Sequence, residues 1–158
     1  MRWRFVDRVI AFREWEAAES LKAVSLEEYS LLAPHGRHGD FPESLVLECC
    51  VESVRWLVAA SSDFRLTSAL LEISEFRFER KTGIGDKLRI EANVTARSGN
   101  ELRADCRVTL AATSPQPNQR RTEAGIASGR LVFETLPLEE GFSRGDLLAL
   151  WDEIHGAS

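Results

Sequence analysis

Two periodicities organise this sequence. Residues 88–98, "LRIEANVTARS", alternate without a break. Leu88, Ile90, Ala92, Val94 and Ala96 fall on one face, and Arg89, Glu91, Asn93, Thr95 and Arg97 on the other. Residues 102–110 repeat the pattern, with Leu102, Ala104, Cys106, Val108 and Leu110 inward, and "SGNE" between the two runs reads as a hairpin turn. Residues 3–12, 68–80 and 125–136 are further strands, rich in β-branched and aromatic residues. One apolar face per strand means an antiparallel sheet covered on one side.

Residues 42–60 follow the other period. Leu45, Val46, Leu47, Cys49, Cys50, Val51, Val54, Leu57 and Val58 leave almost no polar face. A helix apolar nearly all round is buried, so this one should cover the sheet. Pro42 stands at its first turn, where a missing N–H costs nothing. The polar exceptions, Glu48, Glu52 and Arg55, share one stripe at i, i+4 and i+7. The expected architecture is α+β, one long helix wrapped by a curved antiparallel sheet. Residues 14–24 fit a strand or a helix. The "SLEE" capping box from Ser25 predicts a short helix over 26–32, and residues 142–156 predict an amphipathic terminal helix. Leu147, Leu150, Trp151 and Ile154 form its packing face, with Ser143 as cap and Gly156 as stop. No repeat or second domain is visible.

The 158 residues suit one domain, and a net charge of −5 removes any global basic footprint for nucleic acid. No apolar stretch of membrane-spanning length and no signal-peptide core occur, which gives the expectation of a cytoplasmic protein. Cys49, Cys50 and Cys106 sit in apolar patterns and read as reduced core residues. No spacing suggests zinc, and no cofactor is expected. His35, His38 and His155 are the only histidines.

Three segments, in order, carry a resemblance. "FVDRVIAF" (5–12), "FPESLVLECCVES" (41–53) and "ISEFRFERKTGIGDKLRIE" (73–91) are similar to the opening strand, helix start and strand-turn-strand of the hot-dog-fold (3R)-hydroxyacyl-acyl-carrier-protein dehydratases. The likeness implies a hot-dog domain over 1–136, with 137–158 a helical extension of it. It also implies a homodimer or higher homo-oligomer, and a substrate carried on acyl-carrier protein or coenzyme A. In that family a loop histidine is the base and a helix carboxylate of the other subunit is the acid. The amide at the helix start polarises the thioester carbonyl.

Glu48 falls on the carboxylate position, and its apolar helix would favour a protonated acid. The alternative is a carboxylate paired with Arg55 or reaching solvent at a dimer seam. The family's histidine precedes its carboxylate by 14 positions, where this chain has Pro34; His35 is one place late and His38 four. His35 is the candidate base. Pro42, Glu43 and Glu52 are the candidate substrate-binding residues, although Glu43 replaces a family glycine and Glu52 a glutamine. Arg37, Arg77, Arg80, Lys81, Arg120 and Arg121 are either a patch for an acidic carrier or scattered solvated charges. The expected activity is dehydration of 3-hydroxyacyl thioesters. A non-catalytic acyl-chain or carrier-binding module, and a thioesterase with Glu48 activating water, are the alternatives.

Overall fold

The computed structural model describes residues 4–26, 40–111, 125–138 and 144–156. Six strands and two helices alternate along them: β1 (Arg8–Arg13), β2 (Ala17–Ala23), α1 (Glu43–Ser61), β3 (Leu66–Phe78), β4 (Lys87–Ser98), β5 (Glu101–Leu110), β6 (Gly125–Pro137) and α2 (Arg144–His155). The strands form one antiparallel sheet in the order β1-β2-β4-β5-β6-β3, so β1 and β3 are its edges. The sheet curves around α1, as the two periodicities predicted. The short helix expected over 26–32, its Leu26 apart, and the loop 114–123 lie outside the described residues.

The inward faces of the strands and one face of α1 make the main core. Leu88, Ile90, Leu102, Val108, Ile126, Leu131 and Phe133 pack there around Cys49, Cys50, Val54 and Val58. Burying each such Leu, Ile or Phe contributes about 1.5–3 kcal/mol. The opposite face of α1 is not solvated either. Trp56 and Ala59 meet Val6, Val9, Phe64 and Ile154 in a second cluster, joined by Leu147, Leu150 and Trp151 of α2. Glu153 of α2 takes a two-pronged bond from Arg4, at 2.7 and 3.1 Å. That hydrogen bond, more than its charge, holds the Glu153 carboxyl below its ordinary range.

The chain departs locally from the predicted pattern at three places. β1 begins at Arg8, not residue 3; just before it the Asp7 amide donates to the Leu21 carbonyl at 2.9 Å and the Asp7 carboxylate accepts the Ala23 amide at 2.6 Å. Ala96 is exposed, not inward, because the β4–β5 register shifts between Val94 and Ala96. Thr109 is buried while the expected Leu110 is only half-buried, next to a shift between Val108 and Thr109 against β6. The ambiguous 14–24 stretch is a turn followed by β2; Trp15 has φ 56, and the Arg97 guanidinium lies 3.6 Å above its ring.

The cysteines are core residues as expected, all three buried and none in a disulfide. The Cys106 thiol beside Cys50, together with burial, pushes the Cys50 thiol well above the ordinary range. A buried, protonated thiol is a poor nucleophile. A disulfide-exchange reagent should therefore label none of the three in the native protein within minutes and all three in guanidinium. Rapid native labelling would show that α1 opens away from β5.

Candidate functional site

The α1 register puts Glu48, Glu52 and Arg55 on one face, and the side chains meet. Arg55 Nη1 donates to Glu48 Oε1 at 2.9 Å and to Glu52 Oε2 at 3.3 Å. Its Nε reaches the Ser68 carbonyl of β3 at 3.4 Å. Two carboxylates one turn apart repel, and the guanidinium between them leaves one net negative charge. Glu48 is 35% and Arg55 38% exposed, so each pair is worth under about 1 kcal/mol of stability. The arrangement therefore positions Glu48 more than it stabilises the fold. Glu48 is thus held by Arg55 and does not stand alone on an apolar helix.

Pro42 and Glu43 lie at the start of α1. They line a hollow of about 300 Å³ with Asp40, Phe78, Arg80 and Thr82. Pro42 has non-helical dihedrals (φ −58°, ψ 137°) and caps no amide with a side chain. The first amides of a helix lack intrahelical acceptors and carry the positive end of the dipole. The Thr82 hydroxyl is buried at this hollow and has no hydrogen-bond partner among the described residues. Of the basic residues considered for a carrier patch, Arg37, Arg120 and Arg121 lie outside the described residues, and Lys81 is bonded to Asp40 at 2.7 Å.

Glu52 and Arg55 also wall a larger space. A cleft of about 700 Å³ lies between the C-terminal half of α1, the N-terminal segment, the ends of β3 and β6, and α2. Nothing in the residue pattern signals it. Its lining residues Phe5, Trp56, Leu136, Leu147 and Leu150 are apolar positions that any core would use. Among the described site residues, Glu48 and Glu52 meet at Arg55, while Pro42 and Glu43 stand apart from them within one chain. Glu43 and Glu52 are about 14 Å apart along the axis, and Glu43 and Glu48 point about 140° apart around it. His35 and His38 lie outside the described residues. Among the described residues no group of His, Cys, Asp and Glu is placed to hold a metal ion, and no helix is long and apolar enough to cross a membrane.

No protein-family profile matches the sequence, and no curated protein matches it either. Solved structures do match. The smu.793 protein of Streptococcus mutans UA159, solved bound to acetyl-CoA, is 13% identical, with a TM-score of 0.59 over 84% of this chain and 90% of that one. A hypothetical thioesterase of Streptococcus pneumoniae TIGR4, solved with coenzyme A, is 11% identical, with a TM-score of 0.59 over 84% and 88%. Zebra fish thioesterase superfamily member 2 is 13% identical, with a TM-score of 0.58 over 81% and 79%.

These neighbours correct the expected activity. Those whose names state a reaction are thioesterases, which are hydrolases, whereas the sequence pointed to a 3-hydroxyacyl-ACP dehydratase, a hydro-lyase. The six-stranded antiparallel sheet, the helix it enwraps and the shared architecture identify the chain as a hot-dog-fold protein.

Proposed function

We propose that the protein hydrolyses acyl-coenzyme A thioesters, with Glu48 as the general base. The observation that carries this reading is the Glu48–Arg55 pair, which holds the Glu48 side chain one residue away from the wall of an apolar cleft. The names of the fold neighbours point the same way. Glu48 takes a proton from water as the water oxygen bonds to the thioester carbonyl carbon. The C–S bond then breaks, and the proton passes to the departing thiolate. An amide at the start of α1, that of Glu43, steadies the oxyanion. Hydrolysis needs no proton taken from the acyl Cα, so it makes no demand for a histidine in the dehydratase register.

Because Glu43 and Glu48 point about 140° apart on one helix, a site using both draws them from two subunits. The edge strand β3 suits such pairing. It is 13 residues long, and Leu71 and Ile73 are 59% and 48% exposed on it. Sedimentation at micromolar concentration should give twice the chain mass, and Leu71→Lys with Ile73→Lys should halve it. A native monomer would rule out the two-subunit site.

The test of the activity is product analysis with acyl-CoA substrates: the expected products are a free carboxylic acid and coenzyme A. One observation favours a second reading, a non-catalytic acyl-binding module: Arg55 occupies Glu48. That reading gives thioester binding without any product.

A further inference from the structure

We infer that the cleft beneath α2 is the acyl-chain site, taking an unbranched apolar chain whose thioester end remains outside, next to Glu48. This deepens the hydrolase reading and rests on it for the identity of the thioester.

The volume of about 700 Å³ falls within the range of sites that enclose small molecules. Apolar walls come from separate segments: Phe5 from the N-terminal segment, Trp56 from α1, Leu136 from β6, Leu147 and Leu150 from α2. The polar groups are Arg4, Glu52, Arg55 and Thr67. Both arginines are already matched by carboxylates. Arg4 makes its two-pronged bond to Glu153, and Arg55 is shared between Glu48 and Glu52. Among the described residues the cleft offers no uncompensated cation for an anionic head group. A free fatty acid entering tail first would leave its carboxylate beside Glu48, whose cation is already shared, a like-charge repulsion that a neutral thioester does not meet. Arg55 belongs both to the cleft wall and to the Glu48 pair, so a chain in the cleft brings its thioester within one side chain of Glu48. Because α2 supplies one wall, chain preference depends on the terminal helix as well as on the sheet.

The experiment is calorimetric titration of the full chain with two coenzyme A thioethers, decyl and methyl, which no hydrolase cleaves. The decyl compound should bind about a hundredfold more tightly, a conservative share of what about nine extra methylenes yield on burial. Leu147→Trp, which fills the cleft from α2, should bring the two within about threefold, a loss of most of that methylene burial. Thr67→Phe fills it from the opposite side and should do the same, and a cooperative thermal melt of each variant establishes that it is folded. Decanoate should bind at least about tenfold more weakly than the decyl thioether, the cost of setting a second carboxylate beside Glu48, whose cation is already shared. Equal decyl and methyl affinities in the native protein, or a decyl preference that survives both folded variants, would overturn the assignment. Decanoate binding as tightly as the thioether would overturn the thioester as its source. The two readings fail separately. No turnover of any thioester, with decyl preference intact, removes the hydrolase and leaves the chain site. Turnover with no chain preference does the reverse.

Discussion

Glu48→Gln lowers acyl-CoA hydrolysis by about 10²–10⁴-fold, the usual contribution of a positioned general base. The substitution keeps the shape of the side chain and removes its ability to take a proton. It also weakens the bond from Arg55 Nη1, now 2.9 Å long. Because both groups are over a third exposed, the stability lost is under about 1 kcal/mol. Turnover therefore falls while the melting temperature and the affinity for the decyl thioether stay near the native values. That separation marks a catalytic role. A variant that hydrolyses at the native rate shows that Glu48 only accompanies Arg55, and the base must be sought elsewhere.

The largest expected structural effect lies at a glycine far from any catalytic group. Gly129→Val destabilises the protein by about 3 kcal/mol or more, and its melting temperature drops by about 6–12 °C for a chain of this size. Gly129 of β6 stands opposite a bulge in β3, where the register shifts between Ser74 and Arg77. Glu75 there has φ 54, and Phe76 folds back over the glycine. A Cβ on Gly129 would come within 2.6 Å of Phe76 Cδ2 and closer still to the Phe76 Cα. The Phe76 backbone cannot yield without breaking β3–β6 pairing. Gly125, also on β6, is the control. An added Cβ there meets only the end of the Glu79 side chain, which swings aside, so Gly125→Ala leaves the thermal midpoint nearly unchanged. A Gly129→Val protein that melts with the native one would mean that the bulge is not as tight as described.

The residues that carried the dehydratase resemblance explain why it reached the fold and missed the chemistry. Phe41 of "FPES" is a buried bridge partner of Thr82. Gly85 of "GIGD" takes φ 88, which few other residues tolerate, and the Asp86 carboxylate closes the same turn by accepting the Gly83 amide at 2.9 Å. Asp7 of "FVDRV" accepts the Ala23 amide. Each of these residues holds a bridge or a turn, so each serves the fold whatever the chemistry of the site. The Glu48–Glu52–Arg55 stripe was legible because helical period alone fixes it. The sheet was legible because period-two alternation fixes it, up to the bulges, where one extra residue exchanges inside for outside. The cleft was illegible for a different reason. Leu147 and Leu150 look the same in sequence whether their face seals a core or borders an opening.

The double burial of α1 also bears on how the chain is made. Apart from its Glu48–Glu52–Arg55 stripe, a helix with clusters on both faces has little surface suited to water, and of the described strands β1 and β2 precede it. The four remaining strands follow over about 75 residues, which take about 4–15 s to synthesise at about 5–20 residues per second. During that interval "LVLECCVESVRWLVAA" is translated but has no sheet to enter. The segment that later positions Glu48 is therefore, on the ribosome, the part of the nascent chain most in need of a chaperone.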